Sequence, residues 1–303
     1  MLEQLDNSNI SRHLGQKSEY KAQYDKSLLV REPRQSNRTY LGIQDEAVPF
    51  VGQDTWNGYE ISGLTNNGVP VVGVLKLAYP CNNKYIVESK SLKLYYNSFV
   101  MTKLGDTPQE VLQAIETISA KDLSELLETN VQVRVLSNDA VLVAGSRHCN
   151  WHLGYDTLEN AVDVTKLDVS VYQETPELLQ VVQQDTQSVV KYHSSLLRSL
   201  CRVTRQQDTG DIYIHIKSNK LPTKESLLKY IISYREECHF HEEICEAVYK
   251  RLQDALQPSE LAVKCLYARR GSIDICPERA SDPNLLHTAL GNVNEVHVKT
   301  PKQ

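Results

Sequence analysis

A hairpin signal, two amphipathic helices and a strand follow one another twice along this chain. That order restricts the architecture to antiparallel sheet covered by paired helices on one face. In the first copy, apolar runs at 59–64 and 71–78 flank Asn67-Gly68, and such a pair favours a tight hairpin because both turn positions tolerate positive φ. Tyr85-Ile86-Val87-Glu88 then reads as a strand running into a helix over 89–99. Leu92, Tyr95, Tyr96 and Phe99 fall at i, i+3, i+4 and i+7 on one face of it, with Ser89 or Ser91 as N-cap. Thr107-Pro108-Gln109-Glu110 opens a second helix with a cap, a first-position proline and a capping-box glutamate. Residues 131–135 alternate like a strand, with 140–144 as candidate partner.

The second copy has strand-like runs at 169–172 and 212–216, then a helix from Pro222-Thr223 through Leu227, Leu228, Ile231 and Ile232. Another helix carries Phe240, Ile244, Val248 and Leu252 on one face and stops before Pro258, and Val263, Cys265 and Tyr267 alternate as a closing strand. The reading is α+β in three segments. Residues 1–50 form an irregular N-terminal wrap anchored by Tyr20, Tyr24 and Tyr40, residues 51–150 one module, and residues 151–303 a second. Gly145, Asn150 and Gly154 interrupt the pattern at the boundary.

Composition narrows the function classes. Thirty-three Lys+Arg against 38 Asp+Glu leave a formal charge of −5, too balanced to hold nucleic acid by electrostatics alone. A hydrophobic share of 41% is enough to bury a core. The longest apolar run, 69–78, is broken by Pro70, Gly73 and Lys76, so no membrane span is expected. The first fifteen residues include Glu3, Asp6 and Arg12 and no apolar stretch of a secretory signal, which points to the cytoplasm. Seven scattered cysteines, an odd number, read as free thiols in a reducing compartment.

No Gly-x-Gly-x-x-Gly follows a strand, and neither a phosphate-binding Gly-x-x-x-x-Gly-Lys-Ser/Thr nor a Gly-x-Ser-x-Gly elbow occurs. Four other segments carry chemistry. Cys201 has Arg198, Arg202 and Arg205 close in sequence and Asp208 seven residues on, in a Thr-Gly turn that would return its carboxyl towards the sulfur. A guanidinium near the thiol favours thiolate; the plain alternative is one more small buried residue. In Cys238-His239-Phe240-His241-Glu242-Glu243-Ile244-Cys245, the spacing of Cys238, His241 and Cys245 admits zinc. It equally admits His241 in acid–base work with Glu242 accepting from a ligand N–H, or a plain helix start. Glu88-Ser89-Lys90-Ser91 offers a carboxylate at a strand end and a helix N-terminus, and Arg269-Arg270-Gly271-Ser272 suits phosphate.

Taken together, the segment from Val87 to Phe99 closely resembles the signature of the NADPH-dependent 7-cyano-7-deazaguanine reductases, the nitrile reductases of queuosine biosynthesis. Leu41-Gly42, the Cys201/Asp208 spacing, Phe240-His241-Glu242, and Arg269-Arg270-Gly271 followed by Asp274-Ile275 are similar, in order, to the long two-module branch of that family. The resemblance covers most of the chain. It implies the tunnelling fold, with tandem modules that face each other to complete a site, and a homodimer. It further implies Cys201 as the nucleophile forming a covalent thioimide, Asp208 passing protons, and His241 beside the nitrile. Val87, Glu88, Ser89, His241 and Glu242 would hold 7-cyano-7-deazaguanine, and Ser89, Lys90, Arg270 and Gly271 would hold NADPH, two per turnover. No metal, direct nucleic-acid contact or membrane is implied. The family's Pro-Asp-Trp-Gly stands here as Gln207-Asp208-Thr209-Gly210, and Leu200 replaces a small polar residue, so a bulky aromatic is missing beside the substrate. Two rivals remain open: a zinc-dependent hydrolase of the same fold, similar to GTP cyclohydrolase, and a non-catalytic purine-binding module.

Overall fold

Strands of both halves join one large sheet, beside a separate two-stranded one, in a computed structural model that describes residues 21–44, 47–140, 154–202, 204–295 and 299–303. In chain order the strands are β1 (Arg31–Pro33), β2 (Val51–Thr65), β3 (Pro70–Pro80), β4 (Tyr85–Val87), β5 (Lys103–Gly105) and β6 (Gln132–Leu136). The second half adds β7 (Asp156–Thr157), β8 (Val181–Leu200), β9 (Gln207–Pro222), β10 (Glu260–Tyr267) and β11 (Ile273–Ala280). The order across the main sheet is β6-β3-β2-β11-β10-β9-β8-β7, with β5 beside β2. All neighbours are antiparallel except β7 with β8 and β5 with β2. The class is α+β, as expected.

The hairpin expected at Asn67-Gly68 forms, but only Gly68 takes positive φ (+90°), and its N–H closes a turn centred on Asn66-Asn67 by donating to the Thr65 carbonyl over 2.9 Å. Helix Pro108–Leu127 carries the Thr107–Glu110 capping box. The signature helix spans Ser89–Asn97, and Leu92, Tyr95, Tyr96 and Phe99 are at most 2% exposed. Burying side chains of this size contributes roughly 1.5–3 kcal/mol each, which fixes the helix against the sheet. Its N-cap is neither Ser89 nor Ser91 but Glu88, whose carboxylate accepts from the Lys90 N–H over 2.9 Å and the Ser91 N–H over 2.6 Å. A negative side chain at a positive helix end is favourable electrostatically, so the longer residue takes the role.

Two expectations for strands differ from the fold, and a third is not reached by it. Residues 169–172 lie outside any strand, and the partner of β9 is the twenty-residue β8. Most of 181–191 is exposed, so β8 lacks the apolar alternation that marks a strand in sequence and takes its register from β9. Strand β6 pairs with β3, whereas the partner proposed for it at 140–144 falls, beyond Ala140, outside the described residues. Strand β10 does not close the sheet: β11 follows it and pairs with β2 from Gly58 to Val51. Pro277 hid β11 in the sequence; it stands where the β10–β11 ladder has already ended at Lys264↔Glu278, so its missing N–H costs nothing.

The described part of the N-terminal wrap is anchored by ion pairs and by Tyr24, which donates to Asp122 over 2.6 Å, whereas Tyr40, expected as an anchor, is 58% exposed. β1 pairs with β4, and a short helix, Gln35–Tyr40, follows. Arg34 and Arg38 are 2% and 1% exposed and reach Asp54 and Glu246 in the sheet and in helix His241–Leu256. Tyr20 lies outside the described residues.

Candidate active site

Cys201 leaves the end of β8 into a tight reversal. Its N–H donates to the Gln206 carbonyl over 2.8 Å, and Arg205, at φ +53°, donates back to the Cys201 carbonyl over 3.0 Å. β9 then begins, and Asp208, opposite Ser199, stands beside the same hairpin tip. Thr209-Gly210 is therefore strand, not turn. Gly210 is required there, because a Cβ would lie 2.8 Å from the Leu266 carbonyl of β10.

The guanidinium that meets the thiol is not one of its sequence neighbours. Arg198 donates to the Arg235 carbonyl over 2.7 Å, Arg202 pairs with Glu243 at 3.1 Å, and Arg205 is exposed. Arg270 fills the place from across the sheet. It lines the same cleft as Cys201, near enough for its charge to act on the thiol, and its Nη1 donates to Asp208 Oδ1 over 2.5 Å. It is held at the edge of a two-residue turn, Gly271-Ser272, with both residues at positive φ (56° and 67°) and a 2.9 Å bond from the Arg270 N–H to the Ile273 carbonyl.

Helix His241–Leu256 brings the remaining groups. His241 Nε2 lies 3.7 Å from Asp208 Oδ2, and its ring packs on Tyr267 with centroids 3.9 Å apart. Burial raises the Asp208 carboxyl, but the nearby His241 imidazole and the Arg270 guanidinium outweigh it and hold the group below the ordinary carboxylate range. Glu242 is 2% exposed and its Oε1 has no hydrogen-bond partner. Burial and then the Asp54 charge push its carboxyl well up, against Arg34 and Arg279. A buried carboxyl oxygen left unpaired is costly unless a ligand donor completes it.

Cys201, Asp208, His241, Glu242, Val87, Glu88, Ser89 and Arg270 all line one solvent-open cleft of about 570 Å³. Lys90 and Gly271 line a neighbouring cleft instead, with Lys93 in the wall common to both. Sequence reasoning missed Lys93, and it also missed Trp56, buried on β2, which with Phe240 supplies the aromatic surface that Thr209 does not. No local pattern around Trp56 marks it; only the register of β2 against β11 brings it to the cleft.

The proposed zinc trio does not converge. Cys245 lies in the core, its thiol facing the Val263 and Pro277 carbonyls at 3.5 and 3.6 Å, and burial pushes it well above its ordinary pKa, away from the thiolate that a metal needs. Cys238 bridges Leu200 through its backbone. Among the described residues no group of three His, Cys, Asp or Glu side chains is arranged to hold a metal ion. The six described cysteines are free thiols; Cys149 lies outside the described residues.

A thiol near a guanidinium, with a carboxylate and an imidazole in the same solvent-open cleft, on an antiparallel α+β frame, is an arrangement suited to a cysteine nucleophile. Comparison with known proteins gives the family. Residues 20–135 match the model of the nitrile reductase, 7-cyano-7-deazaguanine-reductase N-terminal region, and residues 208–284 match that of the QueF-like proteins. The NADPH-dependent 7-cyano-7-deazaguanine reductase of Colwellia psychrerythraea is 36% identical over 273 residues, 88% of this chain and 91% of that one. Its counterparts from Rickettsia massiliae (36%, covering 89% and 92%) and Ralstonia nicotianae (37%, covering 88% and 92%) are as similar. The chain belongs to the NADPH-dependent 7-cyano-7-deazaguanine reductase family of oxidoreductases.

Proposed function

We propose that this chain reduces the nitrile of 7-cyano-7-deazaguanine to the primary amine, 7-aminomethyl-7-deazaguanine, with NADPH, as a step of tRNA queuosine biosynthesis. The observation that carries the reading is the convergence of Cys201, Arg270 and Asp208 in the cleft where Glu242 presents an unpaired carboxyl oxygen.

The chemistry follows from the charges. A guanidinium beside the sulfur stabilises negative charge on it, which a nucleophilic cysteine requires. Asp208, ionised in the open cleft, takes the thiol proton as the sulfur bonds to the nitrile carbon, then delivers it to the nitrile nitrogen. The carbon–nitrogen triple bond becomes the double bond of a thioimide and no charge is lost or gained. His241, beside Asp208 Oδ2, orients that carboxylate. Glu242 and Glu88 face the donor edge of the deazaguanine ring, with Val87 and Ser89 in the same wall. The covalent adduct keeps the intermediate in place while reduction is completed.

The neighbouring cleft suits a phosphate-bearing cofactor. Lys90 and Lys93 line it, Ser89 and Arg270 lie across the common wall, and a Cβ on Gly271 would come within 3.2 Å of Lys93 Cδ, so glycine leaves that cradle open. NADPH bound there supplies hydride, two per nitrile.

The halves 51–150 and 151–303 read as tandem tunnelling-fold modules, because Trp56, Glu88 and Ser89 reach the cleft from the first and Cys201, Asp208 and His241 from the second. The family resemblance supports a homodimer in the cytoplasm, acting on a small molecule without direct nucleic-acid contact. Among the described residues no helix is long and apolar enough to cross a membrane. The reading needs no metal.

The test is to mix the protein with 7-cyano-7-deazaguanine without NADPH and record intact mass and near-UV absorbance. An adduct of substrate mass, absent in Cys201→Ala, is expected. Substrate that binds without forming an adduct would overturn the covalent mechanism.

A further inference from the structure

Of the two adjacent arginines after β10, the proposed chemistry uses only one. Arg270 turns to Asp208 and Thr204. Arg269 turns instead to Tyr59 on β2, with its guanidinium carbon 3.4 Å from the centroid of the tyrosine ring. At that distance the planar group packs against the ring face. The ring is itself held. The Tyr59 hydroxyl donates to Asp274 Oδ2 over 2.6 Å, and Asp274, fully buried on β11, also accepts from Asn57 over 2.6 Å and pairs with Lys299 at 3.1 Å. The Tyr59 N–H donates to the Ser272 carbonyl over 2.9 Å, which ties the ring to the Gly271-Ser272 turn.

Tyr59, Gly271, Ser272, Lys90 and Lys93 line the cleft that suits the phosphate-bearing cofactor. Arg269, exposed on Tyr59, has no carboxylate partner among the described residues, and neither have Lys90 and Lys93. Glu60 is the acid of that lining, and it is exposed. Arg202 and Arg270 are committed to Glu243 and Asp208. An arginine preset on an aromatic face has little freedom left to lose, and its open edge offers the parallel N–H groups that a phosphate monoester accepts.

NADPH differs from NADH only in a 2′-phosphate, so selection of the first needs a cation that the second leaves idle. Hydride has to be delivered beside Cys201, so the adenosine end of the cofactor must run away from the thiol. Lys93 borders both clefts, whereas Tyr59 borders only the cleft without the thiol. The Arg269–Tyr59 pair is therefore placed for the adenosine end.

We infer that Arg269, held on Tyr59, is the specificity-determining residue for the cofactor: its guanidinium takes the 2′-phosphate that distinguishes NADPH from NADH. The inference rests on the reading that the cofactor occupies the cleft of Lys90 and Gly271.

Calorimetric titration with adenosine 2′,5′-bisphosphate and with AMP, which lacks only the 2′-phosphate, reads the contact without turnover. The wild type should hold the bisphosphate about ten- to hundredfold more tightly, and Arg269→Gln should bring the two nucleotides to within about twofold of each other. No preference in the wild type, or a wild-type preference kept by the variant, overturns the inference. In steady state, Arg269→Gln should raise KM for NADPH at least about tenfold, with kcat and the KM for NADH within about twofold of wild type. Equal loss with NADPH and NADH would put the guanidinium on a group common to both, such as the diphosphate, and also overturns it. Nucleotide binding unchanged in Lys90→Gln would instead sink the placement of the cofactor in this cleft, a separate failure.

Discussion

Arg270 Nη1 meets Asp208 Oδ1 at 2.5 Å while its Nη2 donates to Thr204 Oγ1 over 3.0 Å, tying the β10–β11 turn to the tip of the β8–β9 hairpin. One guanidinium therefore serves both the thiol and the carboxylate of the cleft. Its position depends on the positive-φ turn at Gly271-Ser272, which joins strands from the middle of the sheet.

Arg270→Gln should lower kcat/KM for the nitrile by roughly 10²–10³, the range for losing one preorganised donor. Arg270 holds the Asp208 carboxyl down, so removing it lets that group protonate at higher pH. The acid limb of the kcat/KM profile should move upward. A limb unmoved in the variant would contradict the assignment of Asp208 as proton carrier.

His239 is clamped by Glu237 at 3.1 Å and Glu243 at 3.3 Å. Burial opposes its protonation, but the two carboxylates win and raise its pKa to about 9. A group whose folded pKa lies above its unfolded value, here about 6.5, stabilises fully below that value and loses the contribution as pH rises through the folded pKa. With 27% of the side chain exposed, the effect is on the order of 1–2 kcal/mol after screening. Denaturant midpoints should fall between pH 6.5 and 9 in the wild type and flatten in His239→Gln. Equal slopes in both would rule the clamp out as the cause.

Gly210→Ala places a Cβ 2.8 Å from the Leu266 carbonyl, a backbone atom with nowhere to go. Strand β9 must shift against β10, two residues from Asp208. We expect a Tm lower by several degrees, about 1–3 kcal/mol of overpacking, together with lost adduct formation. Wild-type values for both would show that the strand absorbs the methyl without moving Asp208.

Cys245→Ala removes a buried thiol from the core and should cost about 1–2 kcal/mol of stability, with turnover of the folded protein within about twofold of wild type. Exhaustive chelation should likewise leave turnover unchanged. Loss of activity in either case, in protein that remains folded, would revive the zinc hydrolase reading.

Local signals carried far in this chain. Asn67-Gly68, the Thr107–Glu110 box and the spacing of Leu92, Tyr95, Tyr96 and Phe99 act within a few residues, so hairpin and helices were legible without tertiary knowledge. β8 and β11 were not. One is mostly exposed over its first half and patterned by its partner, and the other is buried on every residue and interrupted by Pro277. The site divides in the same way. Cys201, Asp208, His241 and Glu242 stand out as residue types in segments with chemistry, whereas Trp56 and Lys93 sit in no motif and reach the cleft by register and helix placement.

By itself the sequence determined the α+β class, the family resemblance and the candidate thiol, because each is encoded in contiguous residues. Tertiary structure alone decided which arginine meets Cys201. Arg198, Arg202 and Arg205 are neighbours along the chain, but strand pairing turns them towards Arg235, Glu243 and solvent. Arg270, more than sixty residues away, arrives because β9 and β10 pair in register and the turn after β10 points back over the hairpin tip. Electrostatic interactions act over a few ångströms of space, and only the folded sheet sets those distances.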